Sequence, residues 1–257
     1  MKIKKLYKFG KTKALTLSYD DGTVHDIRLS EILDKYGIKC TFNLNSSNVK
    51  NRNESGEFPL EVAKKCYQNH EVAMHMVTHP HPTQIDDGQL EFEVAEDKRF
   101  LAECFGRSLR GAAYPYGEYD DRTIAMLKKY NIVYSRTTKS IADFSVPDNF
   151  HEWYATSKHT SPELQNLVKD FLDSDRELAL FYLWGHSFEF DRNNNWNVIE
   201  DFCDSIASKE DIWYATNIEI YDYIQAMNQL IITKNGEIIN PTDTKLFVSV
   251  NGTIREV

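Results

Sequence analysis

No apolar run in this 257-residue sequence approaches the roughly 18 residues that a membrane-spanning helix needs, so a membrane-embedded chain is not expected. A basic excess is missing too: 30 Lys+Arg stand against 39 Asp+Glu, a formal net charge of -9. Without a basic face to displace counterions, nucleic-acid binding is not expected, and docking on an anionic membrane surface is equally disfavoured. Cysteine is sparse and scattered. Cys40, Cys66, Cys104 and Cys203 show no CxxC spacing, and each sits in an apolar pattern where a thiol serves as a small hydrophobe. Four reduced structural thiols suit a reducing compartment. The segment from Met1 to Gly10 carries lysines but no apolar stretch and no small-residue cleavage site. As written this is not a secreted precursor, which points to a cytoplasmic protein unless a leader has been removed. There is no internal repeat and no low-complexity segment.

What is present is an ordinary globular composition, 41% hydrophobic and 27% charged, at a length that α/β barrels commonly use as one domain. Apolar periodicity alternates between short β-like runs and longer helical patterns. Strands are predicted over residues 14–19, 39–45, 71–75, 110–114, 132–136, 178–185 and 212–215. Amphipathic helices are predicted over 25–36, 60–69, 90–105, 122–130, 162–172, 198–208 and 219–230. The run Leu178-Ala-Leu-Phe-Tyr-Leu-Trp184 is nearly continuous in apolar residues, as in a strand covered on both faces. Seven strands alternating with helices imply an α/β fold with a parallel sheet, closed or nearly closed into a barrel; an open doubly wound sheet is the alternative. Residues 231–257 change character. Asn235-Gly236 and Asn251-Gly252 each stand between β-like segments, a hairpin signal because both central turn residues must accept positive φ. The expected organisation is a barrel over residues 1–230 and a small β-hairpin appendage over 231–257. Residues 46–58 and 137–160 lack strong periodicity and read as substrate-facing loops.

Two clusters carry chemistry. Leu17-Ser18-Tyr19-Asp20-Asp21-Gly22 ends the first predicted strand. Adjacent aspartates repel, and in a regular strand they would point to opposite faces. Gly22 lets the backbone break there, so both can turn toward a barrel mouth; a solvated turn with a helix N-cap is the plain alternative. His75-Met-Val-Thr-His79-Pro80 follows the third predicted strand, and histidines at i and i+4 share one face of a helical turn. A parallel barrel brings the C-terminal ends of its strands to one mouth. An aspartate from the first strand and two histidines after the third then form a His-His-carboxylate set with open coordination positions. His70 and His81 read as surface residues, and His25 as a residue at a helix start. Trp184, Tyr116 and Trp153 are candidates for an aromatic platform under a sugar ring.

Tyr19-Asp20-Asp21-Gly22 followed by His75-xxx-His79-Pro80 resembles the polysaccharide deacetylase family, carbohydrate esterase family four. Residues 37–45, Ala113-Tyr-Pro115-Tyr116-Gly117 and Phe181-Tyr-Leu-Trp-Gly-His186 are similar to further motifs of that family, in its order, over roughly residues 13–225. The resemblance implies a distorted (β/α)7 barrel. It implies Asp20 as catalytic base, Asp21, His75 and His79 as ligands of a divalent metal, and His186 as catalytic acid. It places Pro115 and Tyr116 at the substrate, the Tyr116 N–H stabilising an oxyanion.

Two departures stand out. The family's Arg-x-Pro-Tyr-Gly motif has Ala113 where its arginine would pair with the base, and Arg136, at the end of the next predicted strand, is the candidate replacement. The family's Asp-Trp motif that supports the acid histidine is not evident, although Phe150-His-Glu-Trp153 stands near that place in the order.

The expected activity is metal-dependent removal of N-acetyl groups from amino-sugar oligo- or polysaccharides. Two imidazoles and a carboxylate suit zinc, with cobalt or another transition metal also able to serve. The partner expected is a carbohydrate, with no nucleic acid and no membrane. O-acetyl ester or cyclic-amide hydrolysis on the same site, or a carbohydrate-binding barrel with impaired catalysis, are the alternatives.

Overall fold

A computed structural model of the chain describes residues 2–257. The strands, in chain order, are β1 (Ile3–Leu6), β2 (Lys13–Asp20), β3 (Thr41–Leu44), β4 (Glu71–Met74), β5 (Gly111–Ala113), β6 (Tyr134–Ser140) and β7 (Trp153–Ala155). They continue as β8 (Ser157–Lys158), β9 (Ala179–Gly185), β10 (Ile212–Tyr214), β11 (Ile231–Ile232), β12 (Ile238–Ile239), β13 (Phe247–Val250) and β14 (Thr253–Glu256).

The main sheet runs β7-β6-β5-β4-β3-β2-β9-β8, with every pairing parallel, and β10 lies against the start of β2. Only Thr156 separates β7, which pairs with β6, from β8, which pairs with β9. The backbone N–H of Thr156 donates to Tyr182 O at 2.8 Å, so this broken strand joins the two ends of the sheet. The ring β2-β3-β4-β5-β6-(β7/β8)-β9 is therefore a distorted barrel with helices outside it.

Strand parity explains what lies inside. Side chains alternate along a strand, and in β2 the outward residues Leu15, Leu17 and Tyr19 join the apolar layer under the helices. The inward residues are Thr16, Ser18 and Asp20, all buried. Polar groups inside a barrel must find partners. Thr16 Oγ1 donates to Asn217 Oδ1 at 2.8 Å, Asn217 Nδ2 donates to Tyr182 OH at 2.7 Å, and Asn43 Nδ2 donates to Ser18 Oγ at 2.7 Å. Asp20 is the last inward position of β2 and so emerges at the C-terminal mouth.

The seven predicted helices are present with ends shifted by a few residues, for example Asp87–Phe105 and Asn217–Asn228. Residues 46–58, read as loop, begin instead with the helix Ser46–Ser55, which carries no apolar stripe because Ser46 and Val49 are its buried residues. Asp97 on the neighbouring helix accepts from Ser46 N–H at 2.7 Å, a tertiary contact that amphipathicity cannot register.

Both Asn-Gly pairs turn strands: β11 pairs with β12 across Gly236 (φ 82), and β13 pairs with β14 across Asn251 (φ 49) and Gly252 (φ 88). The N-terminal strand β1, which the expected boundary at 230 groups with the barrel, pairs antiparallel with β13, Ile3 opposite Val250. Cys40, Cys66 and Cys203 are buried and free, and Cys104 is half-buried. Among the described residues no helix is long and apolar enough to cross a membrane.

A buried network ties the helix after β2 to the start of the helix after β9. Ser187 Oγ donates to Asp26 Oδ1, Tyr67 OH donates to Asp26 Oδ2 at 2.8 Å, and Thr23 Oγ1 lies 2.9 Å from Ser187 Oγ. Burial raises the Asp26 carboxyl to about 7 from its ordinary 3.8, and the hydrogen bonds from Ser187 and Tyr67 offset this only in part. Between those two values the folded chain keeps a proton that the unfolded chain has lost, so this group's contribution to stability falls as pH rises from about 4 to 7. Asp26→Asn is expected to remove that part of the slope. Urea unfolding of both proteins at pH 4.5 and 7.5 measures it, and parallel slopes would contradict the assignment.

Candidate active site

The first cluster is opened by a backbone break. Asp20 ends β2, Asp21 has φ 77 and Gly22 φ 57, so the two aspartates do not continue the pleat to opposite faces. The positive φ favours glycine at this position, and a Cβ there would also press on the Leu44 side chain, 2.8 Å from its Cδ2. The Ser46–Ser55 helix holds this turn, Arg52 Nη1 donating to Asp21 O at 2.9 Å and also to Gly22 O.

The second cluster does not form a helical turn. His75 follows β4 directly, and Met76 (φ 63) and His79 (φ 56) bend the chain so that both imidazoles converge. Non-glycine residues at positive φ are uncommon, and Asp21, His79 and Tyr116 (φ 58) meet at this one place. One ligand atom each from Asp21, His75 and His79 lies within 4.8 Å of the others. His75 Nε2 is 3.7 Å and His79 Nε2 3.9 Å from Asp21 Oδ1.

The donor chemistry fits a divalent metal. His75 Nδ1 lies 2.9 Å from Ala113 O, which can only accept, so Nδ1 carries the proton and Nε2 keeps its lone pair toward Asp21. Burial, joined by the His79 ring, pushes His75 below its ordinary value against the pull of Asp20 and Asp21, keeping the neutral imidazole a ligand must be.

Asp20 is 2% exposed. Arg136 Nη2 donates to its Oδ2 and Asn43 Nδ2 to its Oδ1 at 2.8 Å. Burial works against the carboxylate, but Arg136, then His75, His186 and Asn43, outweigh it and hold Asp20 below the usual aspartate range. Ala113 and Arg136 are register partners on neighbouring parallel strands, so the guanidinium missing from position 113 arrives from one strand over. Arg136 also donates to Thr137 O at 2.9 Å and lies 4.5 Å over the Trp184 ring.

His186 caps the helix Ser187–Arg192, with Nε2 3.9 Å from Asp20 Oδ2 and 4.0 Å from Asp21 Oδ2. Burial opposes its protonation, yet Glu189, Asp20 and Asp21 carry it above the ordinary histidine value. Glu189 is a residue that the sequence reading missed. Its Oε2 lies 3.5 Å from His186 Nδ1, and the signal was local: a glutamate three residues beyond a histidine at a helix start. Burial works against its charge, but His159, His186 and Lys158 depress it far below the usual glutamate range. Asn43 and Asn45 were likewise unmarked; Asn45 Nδ2 donates to His75 O at 2.6 Å and to Met76 O at 3.0 Å, bracing the ligand turn.

Other expected positions sort differently. Tyr116 is 52% exposed, stacks on His81 at 3.9 Å and meets the His79 ring edge-on at 4.5 Å, so it stands at the rim. Pro115 is buried in the 3-10 turn that presents it. His81, read as plain surface, has its Nδ1 3.1 Å from Glu118. Trp153 is not a platform: it is 1% exposed and packed among Tyr134, Phe150 and Tyr182. Trp184, 5% exposed, lies under Arg136 with its Nε1 donating to Ser140 Oγ at 3.1 Å, and supports the arginine instead of offering an open face. Glu152 accepts from Tyr119 OH at 3.0 Å, and His70, expected on the surface, is buried and accepts from Cys40 N–H at 3.3 Å.

Fold and site together define a parallel α/β barrel with a His-His-carboxylate cluster that could hold a metal ion and a buried, arginine-held carboxylate at its mouth. The chain belongs to the polysaccharide deacetylase family, whose sequence model matches residues 8–135. That span holds Asp20, Asp21, His75, His79 and Tyr116 and stops one residue short of Arg136. Over 106 residues the chain is 32% identical to the peptidoglycan-N-acetylglucosamine deacetylase of Bacillus cereus, covering 41% of this chain and 37% of that protein. A Mycobacterium smegmatis structure classed with the polysaccharide deacetylases superposes with a TM-score of 0.68 at 17% identity, over 88% of this chain and 94% of that one. The family 4 carbohydrate esterase from Streptomyces lividans gives 0.54 at 16% identity, over 90% and 100%. These likenesses show the fold.

Proposed function

We propose that this chain is a metal-dependent hydrolase that removes N-acetyl groups from amino-sugar oligo- or polysaccharides. The observation that carries the reading is the Asp20 carboxylate, held by Arg136 and Asn43, with the His186 imidazole 3.9 Å from it, both beside the Asp21, His75 and His79 set. A divalent ion bound by that set, for which two imidazoles and a carboxylate suit zinc, supplies a Lewis acid for the acetamide carbonyl and lowers the pKa of a water. Asp20 takes a proton from the attacking water as oxygen bonds to the carbonyl carbon. The N–H of Tyr116, in the strained turn next to His79, donates to the oxyanion that forms. His186 gives its proton to the amine nitrogen, the C–N bond breaks, and acetate and a free amino sugar leave. The name of the Bacillus cereus relative supports an N-acetylglucosamine glycan as the substrate class.

Acetate release from N-acetylglucosamine oligomers, on protein of known metal content, tests this. Release is expected to fall to background on chelation and to return with zinc or cobalt. Metal-loaded protein that releases acetate only from O-acetyl sugars would move the substrate to esters, and release that ignores the chelator would refute the metal reading.

A further inference from the structure

Glu189 is a carboxylate that no step above uses, yet it is 7% exposed and lined by donors. Its Oε1 meets Lys158 Nζ at 2.8 Å and lies 3.7 Å from Arg192 Nη2. Its Oε2 lies 3.2 Å from His159 Nε2 and 3.5 Å from His186 Nδ1. A buried carboxylate is costly unless paired. Here two of the partners, Lys158 and His159, come from the short strand that closes the barrel and the residue after it, far along the chain from the helix that carries Glu189.

His159 is itself seated. Its ring is buried, stacked on Tyr19 at 5.6 Å and on Phe190 at 4.1 Å. It fills the space over Gly185, where a Cβ would come within 1.9 Å of its Nδ1. The glycine before His186 thus makes room for the imidazole that lies against Glu189.

We infer that Glu189 positions His186 for proton transfer and that His159 positions Glu189. The inference rests on the hydrolase reading, which gives His186 its task. A carboxylate beside Nδ1 selects the ring orientation that turns Nε2 toward Asp20 and Asp21, where the scissile amide must sit. Without it the ring rotates, and Nε2 faces the mouth only part of the time.

Two substrates separate this role from general support. An N-acetylglucosamine oligomer needs its amine protonated to leave, whereas nitrophenyl acetate expels a phenolate that needs no proton. Glu189→Gln is expected to lose about a hundredfold in kcat on the oligomer with KM little changed, and less than about threefold on the ester. His159→Phe, which keeps the stacked ring and removes its nitrogens, is expected to show the same pattern at about tenfold. Ring nitrogen NMR of the metal-free protein at alkaline pH gives a readout apart from turnover. The His186 ring should be Nδ1-protonated in the parent and a mixture of tautomers in Glu189→Gln. Equal losses on both substrates, undiminished turnover of the oligomer, or an unchanged spectrum would each overturn the assignment. A parent protein that releases no acetate from the oligomer overturns the hydrolase reading instead, and the spectrum still decides whether Glu189 holds the ring.

Discussion

Asp20→Asn is expected to lower acetate release by about a thousandfold while leaving zinc bound at the parent's stoichiometry, because general-base groups typically contribute about 10²–10⁴. The amide has nearly the carboxylate's shape, but it cannot take a proton from water. The proposed ligands Asp21, His75 and His79 are untouched, and Asp20 itself accepts hydrogen bonds from Arg136 and Asn43. The substitution leaves a buried guanidinium without its anion, so a loss of stability accompanies the loss of rate, and circular dichroism must show the variant folded at the assay temperature. Metal analysis beside the rate measurement gives the decision. Retained turnover would remove Asp20 from the chemistry, and loss of zinc together with rate would make it part of the metal site. A barrel that only binds carbohydrate would be indifferent to the change.

Arg136→Met is expected to destabilise the protein by about 3–5 kcal/mol, the usual cost of stranding one partner of a buried pair. Asp20 is 2% exposed, and its other side-chain hydrogen bond is the neutral amide of Asn43. The sign of the pH dependence follows from the depressed carboxyl. The pair stabilises the folded chain above the ordinary aspartate value and loses that contribution as pH falls through the lower folded one. The penalty of Arg136→Met is therefore expected at neutral pH and should shrink in acid, where the stranded Asp20 takes a proton. The double variant Ala113→Arg, Arg136→Ala tests the geometry directly. Register partners on parallel strands face the same side, so a guanidinium at 113 should recover more than half of the lost stability. Denaturant unfolding reads both. A single variant within about 1 kcal/mol of the parent, or a double variant no better than the single, would contradict the pairing.

The candidate metal cluster could be read from residues because Asp21, His75 and His79 stand at or within four residues of the end of a predicted strand, and parallel strands in a barrel end at one mouth. Hydrophobic alternation is local, which is why the main strands and helices follow it to within a few residues. The Ser46–Ser55 helix escaped because Val49 is its one apolar residue and part of its support comes from Asp97 on another helix. Trp153 and Trp184 were misplaced for a related reason. An aromatic residue in or beside a strand looks the same in sequence whether it faces a mouth or a core, and only packing distinguishes the two. The Arg136 candidacy needed no more than a missing arginine and a nearby one, but its bond to Asp20 spans 116 positions and depends on strand register.

By itself the sequence determined the alternation of strands and helices, the aspartate pair before Gly22, and the two histidines before Pro80. These are short-range patterns, set by pleat, helix period and backbone freedom. The tertiary structure alone decided that β1 joins β13, that Glu189 lies between two imidazoles, and that Ala113 is answered by Arg136. Each of those depends on which strands neighbour one another and at what register. That is settled by burying the whole barrel at once, and no local stretch of chain carries it.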